Sequence, residues 1–295
     1  ESYVRLTLGL GVHDRSHVDA YYGPAEWREE AVAEERSLED LKAAAVSLVG
    51  NLEGTDAAGA ASGEAEELLL LRHQFLLAQA RALVARLDML TGDRGRFDEE
   101  SRRLYDAVAP AHGPDHFEET LAKLDERLPG QGPLVSRFER FKIRYAIPDE
   151  ALDTVFRRAI EACRERTLHH IELPDGESFE IEYVRGRPWA AYNFYKGNYH
   201  SVIQVNTSFP IFIDRAVDLA CHEGYPGHHV YNVLLEQHLV RGKQWHEFAV
   251  YPLYSPQSLM SEGSAHLGIE MAFPGDERVA FERDGSGAVT GAVID

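Results

Sequence analysis

The sequence predicts a mainly α-helical protein with a small β-sheet, an α+β fold. Two observations carry this prediction. Apolar residues recur with helical spacing up to about residue 172, and alternation of apolar and polar residues appears just after the turn signal Leu-Pro-Asp-Gly at 173–176. The change of period divides the chain into a helical N-terminal region, 1–172, and a second region, 173–295. One continuous domain stays open as an alternative.

The clearest helical pattern covers 64–90. A leucine recurs there every seven residues: Leu69, Leu76, Leu83 and Leu90. This spacing predicts an amphipathic helix packed against its neighbours. The sevenfold pattern does not continue, so we expect a bundle rather than a fibre. Further helices are predicted, between segments that contain Gly and Pro, at 37–50, 97–108, 115–127, 134–145 and 149–168.

Three strands are predicted in the second region. Phe179, Ile181 and Tyr183 alternate with glutamates, which is typical of a half-buried strand. The segments 192–195 and 200–206 are further candidates, with the hairpin turn between them at Lys-Gly-Asn, 196–198. Helical spacing returns from 213, so the sheet precedes the next helices.

Charge and cysteine content narrow the classes of function. The chain has 30 basic and 49 acidic residues, and its net charge of −19 repels nucleic acid and anionic membranes. It has no run of 18 apolar residues, which argues against a membrane span. Two cysteines, Cys163 and Cys221, do not make a disulfide framework and favour a reducing compartment. We therefore expect a cytoplasmic protein unless a leader has been removed, and the oligomeric state is left open.

The octet His-Glu-Gly-Tyr-Pro-Gly-His-His, which begins at His222, indicates a metal site. Zinc in hydrolases takes three protein ligands and leaves one position for water. In the common pattern, two histidines four residues apart share one helix face. Here the fourth residue is Pro226, and His228 would lie about 240° round an unbroken helix from His222. Pro226 lacks an N–H and Gly227 is permissive, so we predict a helix interruption at 225–227 that returns His228 to His222. The alternative is a helix end with satisfied histidines.

The octet resembles the signature of a large bacterial family, the domain of unknown function number eight-eight-five, which is grouped with the zincin-like metallopeptidases of gluzincin type. Other segments carry the same resemblance: Ala-Tyr-Tyr-Gly-Pro-Ala-Glu-Trp at 20–27, Pro-Trp-Ala-Ala-Tyr-Asn at 188–193, Gly-Asn-Tyr at 197–199, Asn-Thr at 206–207 and Ser-Glu-Gly-Ser-Ala at 261–265. The resemblance reaches about residue 274. Family members usually run considerably further, so this sequence is expected to lack their usual C-terminal part.

The resemblance implies a zincin-like second region with one zinc ion (Zn²⁺) per chain. His222 and His228 are implied as metal ligands, Glu262 as the third ligand and Glu223 as the general base. Glu262 follows His222 by 40 residues on a separate predicted helix, as the gluzincin scheme requires.

Two further histidines, His266 and His229, are also expected to take part in the site. His266 is one helical turn beyond Glu262 and is expected to orient a ligand without touching the metal. His229 is the alternative to His228 as a ligand. Otherwise we expect His229 to act in catalysis, by a hydrogen bond to the substrate or to the oxyanion of the transition state.

The segment before the octet is interpreted as a substrate wall, with core packing as the alternative. Tyr192, Asn193 and Tyr199 belong to this polar and aromatic group. In zincins an edge strand above the metal binds peptide backbone by strand addition. We assign that role to 200–206, with Val202 and Gln204 as substrate contacts.

The expected function is a zinc-dependent hydrolase, specifically a peptidase that uses a metal-activated water and Glu223 as general base. The expected substrate is a peptide or a small amide. Two alternatives remain: a metal hydrolase that acts on a non-peptide amide or ester, and a catalytically impaired remnant that binds metal without the C-terminal part.

Overall fold

A computed structural model describes residues 1–55 and 63–290 of the chain. The described part is mainly α-helical with a two-stranded and a three-stranded β-sheet, which confirms the predicted fold class. The end of the predicted second region, 291–295, lies outside the described residues. The helices are α1 Ser2–His13, α2 Ala25–Ala33, α3 Leu38–Glu53, α4 Glu64–Leu90, α5 Phe97–Tyr105, α6 Pro114–Arg127, α7 Leu134–Lys142, α8 Leu152–Leu168, α9 Ile213–Leu219, α10 His228–Leu234, α11 Pro256–Ala272 and α12 Glu277–Thr290. The strands are β1 Val18–Tyr21, β2 Ser178–Val184, β3 Ala191–Gly197, β4 His200–Asn206 and β5 Val250–Pro252.

The individually predicted helices are all present, with shifts at their ends. The predicted helix 64–90 coincides with α4. Helix α5 ends three residues early because Asp106 adopts a left-handed conformation, with φ of 54°. The 3₁₀ turn Ile143–Tyr145 follows α7, and the 3₁₀ turn Asp149–Ala151 precedes α8, so both helices are shorter than predicted.

Strand β1 corrects the prediction that 1–172 is entirely helical. It pairs antiparallel with β5, so the two predicted regions share a sheet. A strand of four residues is too short to show a clear alternation, and its partner lies near the other end of the sequence. Local periodicity therefore gives no signal for it.

The three-stranded sheet has the order β2-β4-β3. Strand β2 runs parallel to β4, whereas β3 is antiparallel and forms the predicted hairpin with it. The turn lies at Asn198 and Tyr199, whose φ values of 54° and 59° are those of a type I′ turn. Since β4 is paired on both sides, the prediction that 200–206 is the edge strand is wrong. Strands β2 and β3 form the edges.

Helix α4 is, among the described helices, long and apolar enough to cross a membrane when judged by length and composition alone. Its contacts are those of a helix packed within a folded protein. Arg72 of α4 pairs with the buried Glu247, and Arg86 pairs with Asp14 through a 2.6 Å contact. Helices α1, α3 and α11 also pack against it.

One apolar cluster holds the segment around the octet in place. Its buried residues come from α8, from α9 and the segment on both sides of His222, from α10, and from α11 and its end: Ala159, Ile160, Cys163, Val217, Ala220, Cys221, Tyr225, Val230, Ile269, Ala272 and Phe273. Burial of such apolar surface stabilises the packing by about 25 cal/mol per Å². The cluster therefore fixes α11, which carries Glu262, against the segment that carries His222.

Candidate metal centre

The helix that carries His222 is interrupted where the sequence predicts. Helix α9 continues as a π-helical turn, Ala220–Gly224, and the chain then leaves the helix through the cis peptide bond Tyr225–Pro226. Helix α10 begins at His228. A π-helical turn is a frequent local irregularity at functional sites, and here it precedes the chain reversal that the proline requires.

Gly227 lets the chain fold back against the end of the π-helical turn. Its N–H donates to the carbonyl oxygen of Cys221 over 2.9 Å. A Cβ atom at this position would overlap the carbonyl oxygens of His222 and Cys221, so glycine alone fits this close approach. The result is that the rings of His222 and His228 lie edge to face, with their centroids 4.7 Å apart.

Glu262 completes a three-residue group with the two histidines. Its carboxylate oxygens lie 3.4 Å from Nε2 of His222 and 3.2 Å from Nε2 of His228, and the three ligand atoms all lie within 4.8 Å of one another. Ligand atoms of a tetrahedral zinc with bonds of about 2.1 Å are separated by about 3.4 Å. The three donors therefore fit a metal ion of that size, and the arrangement of His222, His228 and Glu262 is the one predicted.

The charge state of Glu262 suits a ligand. Hydrogen bonds from His222 and His228 hold the pKa of the Glu262 carboxyl far below its usual range, although burial opposes them. The carboxylate is accordingly ionised at neutral pH. Helix α11 presents it at the surface of the site, where more than half of the side chain is exposed, whereas both histidine side chains are mostly buried.

Glu223 lines the same cleft as the three candidate ligands but is not one of them. Its side chain is 5% exposed. Burial raises the pKa of Glu223, while the nearby His228 and His222 lower it in part. The adjoining carbonyl of Glu223 accepts a 2.7 Å hydrogen bond from the side chain of Asn193, which ties the segment to β3. A buried carboxyl beside a metal site is suited to accept a proton.

His229 does not reach the cleft, so its expected catalytic role is corrected. Its ring is fully buried, and both of its nitrogens are engaged elsewhere. Nδ1 lies 2.8 Å from the hydroxyl of Ser201, and Nε2 lies 3.0 Å from the carboxylate of Glu177. Glu177 also accepts hydrogen bonds from Tyr225 (2.5 Å) and Arg164 (2.6 Å). His229 therefore anchors the octet to the sheet and to α8.

This buried network keeps Glu177 ionised. Burial raises the pKa of its carboxyl, but hydrogen bonds from His229, Tyr225 and Arg164 outweigh burial and lower the pKa to about 2. A buried carboxylate with three donors holds its neighbours in fixed positions, since breaking such a group leaves a charge uncompensated. The network thus fixes the chain on both sides of Pro226.

The hydrogen-bond partner of a predicted ligand is Ser261 rather than His266. Oγ of Ser261 lies 3.0 Å from Nδ1 of His228, which leaves Nε2 of that ring for the metal. His266 is exposed and stands edge to face with His222 at 6.4 Å between ring centroids. No hydrogen bond joins it to a ligand among the described residues.

Replacing Ser261 by alanine is expected to lower zinc affinity about 10- to 100-fold, the usual effect of removing the acceptor behind a metal-bound histidine. With a metal on Nε2, the proton of the His228 ring would be on Nδ1, and the substitution would remove its partner. A competition titration with a chromophoric chelator measures the change. Ser264→Ala is the matched control, because Ser264 lies on the same helix and its hydroxyl donates only to the carbonyl of Ser261. Equal affinities of the two variants would contradict the role of Ser261.

The candidate ligands line a cleft of about 220 Å³. Of the expected substrate contacts, Tyr192 and Asn193 line it. Tyr199, Val202 and Gln204 lie outside its lining: Tyr199 forms the hairpin turn, and Gln204 donates a 3.0 Å hydrogen bond to Glu182 of β2. The edge strand beside the cleft is therefore β3.

Several further side chains in the cleft were not identified as site residues from the sequence, among them Asp19, Arg215 and Tyr251. Asp19 comes from β1, Arg215 from α9 and Tyr251 from β5. Asp19 and Tyr251 reach the cleft because β1 and β5 pair, which no local pattern indicates. Arg215 lies about two helical turns before His222, and that spacing was the only signal available for it.

Comparisons with protein-family models, with curated proteins and with solved structures gave no match for this chain. The resemblance stated above therefore rests on the sequence motifs alone. The geometry of the described residues is the independent support for a metal site.

Proposed function

We propose that the protein is a zinc-dependent hydrolase, and specifically a peptidase that cleaves peptide bonds. The observation that carries the proposal is the convergence of His222, His228 and Glu262 on one point, with the buried Glu223 beside them in the same cleft. Three ligands and one adjacent carboxyl are the parts that metal-assisted hydrolysis needs.

The donor set favours zinc. Two imidazole nitrogens and a carboxylate oxygen suit this ion, and three protein ligands leave a position for water or substrate. Cys221 precedes His222, but its sulfur lies 2.8 Å from that of Cys163 in the apolar cluster and is not among the three donors. A zinc ion bound there would polarise the substrate carbonyl and lower the pKa of its bound water.

The chain's own residues supply proton transfer and substrate alignment. Glu223 accepts the proton of the attacking water and passes it to the leaving nitrogen. Strand β3 borders the cleft at the edge of its sheet, so its free side can align an extended peptide by strand addition. This edge favours a peptide over an ester.

The acidic surface, with net charge −19, fits neither nucleic acid nor an anionic membrane as a partner. The two free cysteines fit a cytoplasmic location.

Metal analysis tests the proposal first. We expect about one zinc per chain by elemental analysis of protein purified without chelators, because three ligands converge on one point. His222→Ala and Glu262→Ala should each remove most of it. His169→Ala, at an exposed position outside the cleft, should not. Unchanged zinc in both ligand variants would refute the assignment.

Turnover of a mixed peptide library and of aryl amides and esters then distinguishes a peptidase from a non-peptide hydrolase and from a protein that only binds metal. Zinc-dependent cleavage supports the peptidase. Cleavage of aryl amides or esters alone points to the non-peptide hydrolase. Stable zinc occupancy without turnover on any of these substrates overturns the hydrolase and leaves a protein that binds metal.

A further inference from the structure

Asp19 is directed into the cleft by an irregularity of the two-stranded sheet. Val18 of β1 pairs with Pro252 of β5, and Ala20 pairs with Tyr251, the residue directly before Pro252. Asp19 is therefore the extra residue of a β-bulge. Bulges occur frequently beside active sites, where they redirect a side chain.

The carboxylate of Asp19 has a hydrogen-bond donor but no counterion in the structure. The hydroxyl of Tyr192 donates to it. Among the described side chains, no Lys, Arg or His nitrogen lies within 4.0 Å of it. Burial raises the pKa of Asp19, and Tyr192, His228 and the more distant Lys196 only partly offset this. A half-buried carboxylate in this position is stabilised when a cation binds to it.

Asn193 supplies a second, independent sign of a ligand. It lines the cleft and is 8% exposed. Its Nδ2 is committed to the carbonyl of Glu223, whereas its buried Oδ1 has no hydrogen-bond partner among the described residues. Buried acceptors are almost always paired in folded proteins, so an unpaired Oδ1 on a residue that lines the cleft indicates that a donor is missing there.

The charges of the cleft define the ligand further. Three carboxylates line it, those of Asp19, Glu223 and Glu262, and Arg215 pairs with Asp218 on its own helix. A divalent metal ion would compensate Glu223 and Glu262. The negative charge of Asp19 then remains uncompensated, and one ammonium group of a substrate would neutralise it.

We propose that Asp19, held in position by Tyr192, binds the protonated amino group of the substrate, so that the protein acts on peptides with a free amino terminus. This inference rests on the proposed function and deepens it. An ammonium group has three donors and satisfies Asp19 while leaving N–H groups for a neighbouring acceptor. Because Asp19 and the candidate ligands line the same cleft of about 220 Å³, the scissile bond would lie close to the amino terminus.

Paired substrates test the inference in turnover. One tripeptide library is offered with free amino termini and again after N-acetylation, which removes the charge. The parent protein should prefer the free library about 10- to 100-fold in kcat/KM, the worth of a charge-assisted hydrogen bond. Asp19→Asn should lose this preference through a higher KM for free peptides while retaining zinc and its turnover of acetylated ones. Asp149→Asn, which removes the same charge from an exposed position, should behave as the parent does.

Direct binding provides a readout that does not depend on turnover. L-Leucinamide and N-acetyl-L-leucinamide are titrated calorimetrically into the zinc-loaded protein. The parent should bind the amine about 10- to 100-fold more tightly than the acetylated compound. Asp19→Asn should abolish the difference, and Tyr192→Phe should reduce it.

The outcomes separate the two proposals. Cleavage of both libraries with equal efficiency, or a preference that survives in Asp19→Asn, overturns the amine site and leaves the peptidase intact. Selective binding of L-leucinamide without cleavage of either library supports the amine site and counts against the peptidase. Failure of the parent to discriminate the two amides in binding overturns the amine site whatever the turnover.

Discussion

Glu223→Gln is expected to lower peptide hydrolysis by about 10²–10⁴, the usual contribution of a general acid–base residue, while zinc content and folding are preserved. Glu223 is 5% exposed, and glutamine has nearly the same shape and fits the same buried position. It has no carboxylate to accept the proton of the attacking water. Because Glu223 is outside the group of converging donors, its replacement removes no metal ligand. Single-turnover kinetics and elemental analysis of the same preparation measure both quantities.

Glu262→Gln is the matched control for this change. Its carboxylate lies 3.2 Å and 3.4 Å from the two histidine nitrogens, so the amide should weaken zinc binding itself. If Glu223→Gln lost zinc while Glu262→Gln retained it, the two roles would be exchanged. Full turnover by Glu223→Gln on a substrate that the parent cleaves would refute the proposed mechanism.

The pairing of His222 with His228 was predictable because its signal is local, whereas Glu262, 40 residues further on, was implied by the family resemblance alone. Pro226 and Gly227 follow His222 by four and five residues, and the chemistry of these two residues requires an interruption there. The interruption was confirmed, and it brings His228 beside His222. The π-helical form of the preceding turn was not predictable, since the sequence indicates that the helix ends and not how its last hydrogen bonds are arranged.

His229 was misassigned because its partners are distant in sequence. A histidine adjacent to a ligand has no local feature that decides which side it faces. Ser201 on β4 and Glu177 before β2 draw its ring into the interior, and only the assembled sheet brings them together. The same reason explains why 200–206 was wrongly expected to be an edge strand. The composition of the segment predicted a strand, but the parallel pairing of β2 with β4 makes that strand central in the sheet.

Asp19 shows the limit of sequence interpretation most clearly. Its place in the cleft depends on a pairing between β1 and β5, strands near opposite ends of the sequence, and on a bulge in that pairing. The segment that contains Asp19 was expected to be helical, and a helix would have directed the side chain differently. Long-range strand pairing is set by tertiary packing, which short strands do not reveal in advance.

Gly227→Ala is expected to destabilise the fold by about 3 kcal/mol and to lower zinc affinity about 10- to 100-fold, because the added methyl group forces apart two backbone segments. The Cβ atom would overlap the carbonyl oxygens of His222 and Cys221. Backbone cannot move aside as a flexible side chain does. The overlap is removed at the lowest cost when the start of α10, and with it His228, moves away from His222. Urea denaturation and a chelator competition titration measure the two effects.

Gly224→Ala is the control that isolates the close approach at Gly227. Gly224 is also buried and ends the π-helical turn, yet a Cβ atom there would meet no atom within 4 Å apart from its chain neighbours and its own helical backbone. Alanine at this position should change the free energy of unfolding by about 1 kcal/mol or less and should leave zinc affinity unchanged. If Gly227→Ala bound zinc as tightly as Gly224→Ala, the fold-back at Gly227 would not be what places His228. The assignment of His228 as a ligand would then have to be reconsidered first, because His222 precedes the fold-back in the π-helical turn and Glu262 lies on α11.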